Sequence, residues 1–157
     1  MLKICTLFLV LVHCFSCNMP SNGDLESAKK EILALEAAQR DYHFTKNAKD
    51  FVALFSTDFI SIGKGKIEKP TREQSFNRFD QYFKSVEFVK WDNKTEPTVR
   101  FSNDATMAYV AVDKLVILKV KNDAGMEVLD TTHFAWLSVY KKIDKTWQVD
   151  CIASTNK

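Results

Sequence analysis

The hydrophobic period of this chain changes once, close to residue 86, and that change limits the folds open to it. Between residues 24 and 85, apolar side chains recur at helical spacing in three segments, with a short alternating strand at residues 59–62 before the third. After residue 86, long alternating runs are separated by short turns rich in Asn, Asp and Gly. Helices first and antiparallel strands afterwards predict an α+β domain with the helices on one face of a sheet.

The first 17 residues predict an export signal. A basic Lys3 precedes an apolar run at residues 4–12, and this run of nine residues is too short for a helix that crosses a bilayer, which needs about 20. The pair Ser16-Cys17 resembles the junction at which bacterial lipoprotein signals are cut before a lipid-bearing cysteine. The resemblance implies a signal peptide at residues 1–16, lipidation of Cys17 and a tether to residue 25. An ordinary secreted protein and a buried N-terminal helix are the alternatives.

Charge and cysteine usage narrow the function classes. The chain has 22 basic and 20 acidic residues and no basic run of five or more, which argues against nucleic acid as a partner. Cys5, Cys14 and Cys17 lie in the N-terminal segment and only Cys151 lies in the body of the chain. A disulfide framework is therefore not expected, and Cys151 is predicted to be a small core residue.

Three local motifs follow one another along the body of the chain. They are Asp50-Phe-x-x-Leu-Phe-Ser-x-Asp58-Phe-Ile, Phe101-Ser-Asn-Asp-Ala-x-Met-Ala-Tyr109 and Val139-Tyr-Lys-Lys-Ile-Asp-Lys-x-Trp147-Gln-Val. Their order and spacing resemble the nuclear transport factor 2-like superfamily, in particular its SnoaL-like and ketosteroid-isomerase-like branch. The resemblance implies a domain over residues 26–157 that is a cone-shaped barrel, in which a curved antiparallel sheet and three N-terminal helices enclose an apolar pocket. It also implies a homodimer through the sheet face.

Strand pairing predicts which side chains face that pocket. If Lys121 pairs with Met126, Asp113 lies opposite Phe134, whereas a loop of odd length reverses the parity. A two-residue turn at residues 144–145 is predicted to set Tyr140 against Val149 and Ser138 against Cys151. The predicted pocket face is then bulky and aromatic around one carboxylate: Met107, Tyr109, Asp113, Phe134, Trp136, Tyr140, Val149 and Cys151. The opposite face, predicted to pack against a partner, contains Val110, Val112, His133, Leu137, Val139, Asp150 and Ile152.

Asp113 is the candidate catalytic residue, because burial among aromatic side chains would raise its pKa and suit it to acid–base chemistry. A solvated position at the pocket rim is the structural alternative. His133 is expected to face away from Asp113, and His43 to lie solvated on the polar side of the first helix. The predicted ligand-binding residues are Asp58, Tyr109, Asp113, Phe134 and Trp136, with capping or a turn as the alternative for Asp58. Since no His, Asp and Glu cluster has metal-ligand spacing, we expect neither a metal nor a cofactor.

These features favour a lipoprotein of the bacterial cell envelope whose domain binds a small, largely apolar molecule without transforming it. A secreted or periplasmic protein is the alternative location. The second functional hypothesis is an isomerase, cyclase or hydratase that uses Asp113. The third is an envelope protein-interaction module that works through the sheet face.

Overall fold

The computed structural model describes residues 20–156 of the chain. This part contains three helices and seven strands: α1 (Asn22–Phe44), α2 (Ala48–Ala53), β1 (Phe55–Gly63), β2 (Lys66–Glu68), α3 (Arg72–Ser85), β3 (Glu87–Asn93), β4 (Thr98–Phe101), β5 (Met107–Lys121), β6 (Glu127–Ile143) and β7 (Thr146–Asn156). The predicted signal peptide and Cys17 lie outside the described residues, so the lipid anchor stays a prediction. Within residues 20–156, no helix is both long enough and apolar enough to cross a membrane.

Side-chain caps set where α1 and α3 begin. Ser21 caps α1: its hydroxyl accepts from the Asp24 N–H at 3.2 Å, and the Asp24 carboxylate accepts from the Ser21 N–H at 2.9 Å. Helix α1 therefore begins at Asn22, directly after this cap. Thr71 and Gln74 form the same reciprocal box at the start of α3.

The seven strands form one curved sheet in the order β2-β1-β7-β6-β5-β3, with β4 also paired to β5. The predicted α+β class, with N-terminal helices against a curved sheet, is confirmed. One pairing differs from the antiparallel prediction, because β1 runs parallel to β7. The sheet is therefore mixed. Parallel pairing needs a long crossover connection, and here the chain between β1 and β7 supplies it.

The register of β5 on β6 differs by one residue from the predicted one. Lys121 pairs with Glu127, so Asp113 lies opposite Ala135 and not opposite Phe134. Met126 belongs to the loop because Asn122 closes it: the Asn122 side chain accepts from the Met126 N–H at 2.9 Å, and the Asn122 N–H donates to the Met126 carbonyl at 3.0 Å. This extra loop residue reverses the parity of β5 relative to β6.

The last hairpin confirms one predicted pairing and corrects another. The two-residue turn at residues 144–145 places Tyr140 opposite Val149, as predicted. Beyond that pair a β-bulge shifts β7 by one residue, so that Cys151 lies opposite Val139. The bulge falls at Asp150, whose carboxylate accepts a 2.7 Å hydrogen bond from the Ser56 hydroxyl on β1.

These shifts redistribute the two predicted faces. The face toward the helices, which we call the concave face, carries Val110, Val112, Lys114, Phe134, Trp136, Ser138, Tyr140, Val149 and Ile152. The opposite, outer face carries Met107, Tyr109, Asp113, His133, Leu137, Val139 and Cys151. The pocket-face prediction is thus wrong for Met107, Tyr109, Asp113 and Cys151, and the outer-face prediction is wrong for Val110, Val112 and Ile152.

The core lies between the helices and the concave face, and much of it is aromatic. Phe55 and Phe59 of β1 stack with ring centroids 4.0 Å apart, and Phe51 of α2 meets Phe55 edge-on at 5.2 Å. Phe83 of α3 is completely buried. Burial of each such side chain contributes roughly 1.5–3 kcal/mol, so these rings hold the three helices against the sheet.

Candidate ligand-binding cavity

The helices and the concave face enclose a cavity of about 200 Å³, which we call the aromatic cavity. All three helices and strands β1, β3, β6 and β7 contribute to its wall. The aromatic lining consists of Phe51, Phe59, Phe79, Trp91, Phe134 and Trp136, and the remaining lining residues are Gln39, His43, Ser61, Arg78, Ile152 and Ser154. An apolar wall with a few polar groups is the usual composition of a small-molecule site.

Ring packing holds the wall of the aromatic cavity in place. The Trp91 ring lies 5.3 Å from that of Trp136, and the Trp136 ring lies 5.8 Å from that of Phe134. On the helix side, Phe51 meets Phe79 edge-on at 4.6 Å. Each ring has few rotamers and at least one ring neighbour, so the cavity is formed before any ligand arrives.

His43 lies inside this aromatic shell, although the sequence predicts a solvated position. Its ring stacks on Trp91 with centroids 4.4 Å apart and meets Phe51 edge-on at 5.0 Å. Nδ1 lies 2.6 Å from the Gln39 carbonyl oxygen, which can only accept, so the proton is on Nδ1. Burial lowers the pKa of His43 to about 4, with the Gln39 hydrogen bond opposing the shift. At neutral pH the ring is therefore uncharged, and Nε2 is its free acceptor.

A buried hydrogen-bonded chain lies next to His43 on the same helix. Gln39 Nε2 donates to the Tyr140 oxygen at 2.9 Å, and the Tyr140 hydroxyl donates to Glu36 Oε1 at 2.6 Å. Burial raises the pKa of Glu36 above its usual value, although the Tyr140 hydrogen bond and the charge of Lys114 oppose the shift. Burial also raises the pKa of Tyr140 well above its usual value, and the neighbouring Glu36 adds to the shift. Burial therefore shifts both groups toward their uncharged forms.

Lys114 takes the concave position that the sequence analysis assigned to its neighbour Asp113. Its side chain is only 3% exposed, and Nζ lies 3.3 Å from the Trp91 ring centroid and 5.0 Å from that of Trp136. These are cation–π contacts. Burial lowers the pKa of Lys114 to about 8, while Glu36 and Asp92 act in the opposite direction.

The predicted site residues fall into two groups. Phe134 and Trp136 line the aromatic cavity. Asp113 lies on the outer face, where its half-exposed carboxylate is 3.3 Å from the Lys94 ammonium, and Tyr109 on the same face is 42% exposed. Asp58 is exposed and pairs with Lys69 at 3.1 Å. Neither Tyr109 nor Asp113 lines the aromatic cavity.

Sequence reasoning missed His43, Gln39, Glu36 and Lys114. The buried stripe of α1 consists of Ala28, Ile32, Glu36, Gln39 and His43 at helical spacing. The second half of this stripe is polar, so a search for apolar residues at helical spacing does not include it. The regular spacing from Ile32 to His43 was the available signal. Among residues 20–156, no group of three or more His, Cys, Asp or Glu side chains could hold a metal ion.

No family model and no curated protein matches this chain, whereas solved structures do. An NTF2-like protein with a cystatin-like fold from Novosphingobium aromaticivorans has a TM-score of 0.63 at 14% identity, covering 83% of this chain and 82% of that chain. The fold is that of nuclear transport factor 2. The likeness extends to a ketosteroid isomerase-like protein from Erwinia carotovora atroseptica, with a TM-score of 0.63 at 17% identity over 81% of this chain and 94% of that one.

A type 2 hexachlorocyclohexane dehydrochlorinase also shares the nuclear transport factor 2-like fold, with a TM-score of 0.69 at 13% identity over 87% of this chain and 90% of that chain. At such identities the likeness shows the fold alone, since unrelated functions occur on one fold. In this fold the aromatic cavity lies between the helices and the concave face, where the resemblance in sequence predicts a pocket. What the cavity does must be argued from its own side chains.

Proposed function

We propose that this domain binds a small, largely apolar molecule in the aromatic cavity and does not transform it. The observation that carries the proposal is an aromatic wall around about 200 Å³ of space, with an uncharged histidine within that wall. Engineered apolar cavities of about 150 Å³ take up benzene. The volume therefore suits one ring or a compact bicyclic skeleton.

The polar groups of the wall narrow the ligand class. His43 Nδ1 is turned back to its own helix, which leaves Nε2 as an acceptor for a ligand hydroxyl or N–H. Arg78 is compensated at 3.2 Å by Glu68 and lies over the Phe79 ring at 4.9 Å, so it adds little net charge. A neutral ring compound that carries one hydroxyl group, such as a simple phenol, fits this arrangement.

Three observations support binding over catalysis. Among the described residues that line the aromatic cavity, none is a carboxylate. A general base works best when its pKa is near the working pH, and the pKa of His43, at about 4, makes it a weak base at neutral pH. The predicted base Asp113 lies on the other face of the sheet.

The proposed location is the bacterial cell envelope, with the domain held there by lipid on Cys17. This part of the proposal depends on the sequence of residues 1–17 alone. The proposed assembly is a homodimer through the outer face, where Met107, Tyr109 and Leu137 are exposed apolar side chains.

Fluorescence titration with phenol and with toluene tests the binding proposal, because Trp91 and Trp136 line the cavity. Wild-type protein should bind both compounds saturably. Its affinity for phenol should be about two- to tenfold higher than for toluene, because one hydrogen bond contributes about that factor. His43→Phe keeps the ring and removes the acceptor, so this preference should disappear. Trp136→Ala should weaken both probes, whereas Tyr109→Ala on the outer face should change neither.

Two results would contradict the proposal. One is the absence of saturable binding of either probe to a folded wild-type protein. The other is recovery of a chemically altered molecule after incubation with a ligand that co-purifies from the source envelope, which would indicate an enzyme.

A further inference from the structure

A second cavity of about 270 Å³, which we call the polar cavity, lies between α1, β3 and β5. Its wall includes Glu36 and Arg40 of α1, Trp91 and Asp92 of β3, and Lys114 of β5. Trp91 lines both this cavity and the aromatic cavity. The proposed apolar ligand does not use the polar cavity, so its charged groups need a separate explanation.

Lys114 is the notable group of the polar cavity. It is 97% buried, yet none of the six ion pairs found within residues 20–156 includes it. The Lys114 ammonium instead lies over the ring faces of Trp91 and Trp136. An ammonium has three donors, and a ring face replaces only part of the hydration lost on burial. The geometry therefore leaves donor capacity for an acceptor that enters the cavity.

The other charged groups of the wall do not cancel Lys114. Arg40 and Asp92 neutralise one another through a 3.1 Å ion pair. Glu36 accepts from Tyr140 through Oε1, and its other oxygen, Oε2, is buried without a hydrogen-bond partner among the residues that the structure describes. Burial raises the pKa of Glu36, and the charge of Lys114 opposes that shift. Within residues 20–156, no carboxylate of the wall lies within ion-pair distance of the Lys114 ammonium.

We infer that the polar cavity is a binding site for a small monocarboxylate. The carboxylate accepts from the Lys114 ammonium, and a short apolar tail contacts the apolar part of the wall, to which Leu33, Ala37 and Pro97 belong. A charge-assisted hydrogen bond in a largely buried setting is stronger than a neutral one. A neutral molecule of the same shape lacks this interaction and binds more weakly. The cavity volume of about 270 Å³ leaves room for a carboxylate with a tail of several carbon atoms.

An NMR titration of the full chain with butyrate, followed at the Trp91 indole N–H, tests the inference. Butyramide has the same shape without the charge and serves as the ligand control. Wild-type protein should show a saturable shift with butyrate and at least a tenfold weaker response to butyramide. Binding should weaken at pH 9.5, where the ammonium has lost its proton because its pKa is about 8.

Variants separate the site from a general effect of charge. Lys114→Met should weaken butyrate binding at least tenfold, and Lys114→Arg, which keeps the charge, should retain it. Lys142→Met is the matched control, because Lys142 also lies over a tryptophan, Trp147, at 5.4 Å but outside both cavities. The inference is overturned by equal responses to butyrate and butyramide, by unchanged binding in a folded Lys114→Met protein, or by no saturable shift in the wild type.

Discussion

The Tyr140 hydroxyl donates a 2.6 Å hydrogen bond to Glu36 Oε1 and so joins α1 to β6 across 104 residues of the chain. Gln39 completes the chain of hydrogen bonds by donating to the Tyr140 oxygen. All three side chains are buried, so each polar group depends on the others to satisfy its hydrogen-bonding capacity. The contact anchors the helix that contributes to both cavities.

Removal of this hydroxyl should destabilise the fold. We expect Tyr140→Phe to lower the free energy of unfolding by about 1–3 kcal/mol, because it leaves a buried carboxyl oxygen and the Gln39 amide without their partner. Urea denaturation measures this change. Tyr109→Phe on the exposed outer face is the control and should change stability by less than about 0.5 kcal/mol. Equal stabilities of the two variants would show that the buried hydrogen bond contributes nothing.

The buried His43 should make stability fall in mild acid. The pKa of His43 is about 4 in the fold and 6.5 in the unfolded chain. The unfolded chain therefore takes up the proton first, and the stability present above pH 6.5 is lost as the pH falls toward 4, by about 3 kcal/mol. Denaturation at pH 7 and pH 4.5 measures the difference. His43→Phe should reduce this slope, and His133→Gln on the outer face should not. If the pH dependence of stability were unchanged in His43→Phe, groups other than His43 would be its cause.

The outer face should hold two copies of the chain together. Sedimentation equilibrium of the wild type should report a homodimer, and Leu137→Glu should shift it to monomer, because a charge then replaces an apolar side chain that is 37% exposed. Ile67→Glu is the matched control: Ile67 is also exposed but belongs to β2 at the far edge of the sheet. A wild type that stays monomeric at high concentration would refute the dimer.

Cys17 should carry the lipid anchor. Cys17→Ser should leave an unlipidated precursor, whereas Cys14→Ser should still be processed, since bulky His13 before Cys14 suits a cleavage site poorly. Labelled palmitate and detergent partitioning measure the anchor, to which each buried methylene contributes about 0.8 kcal/mol. A wild-type protein in the aqueous phase with a mature N-terminus other than Cys17 would disprove lipidation and leave simple secretion.

Local chemistry accounts for the parts of the fold that the sequence predicts well. The predicted turn at residues 144–145 depends only on contacts between neighbouring residues, and the structure has it. The β5–β6 register depends instead on whether Met126 ends the loop or starts the strand. Asn122 decides this through two hydrogen bonds, and that one residue determines whether Asp113 or Lys114 faces the helices.

The sequence by itself determined the α+β order of elements and the three helices, because periodicity and turn chemistry are local properties. Only the tertiary structure decided which polar groups are inside. Glu36 and His43 belong to the polar part of the α1 pattern, and their burial requires partners from distant strands: Tyr140 of β6 for Glu36, and Trp91 of β3 for His43. Burial of a polar side chain is stable only when such a partner contacts it. Sheet register and helix packing decide which residues are in contact, and no local pattern specifies either.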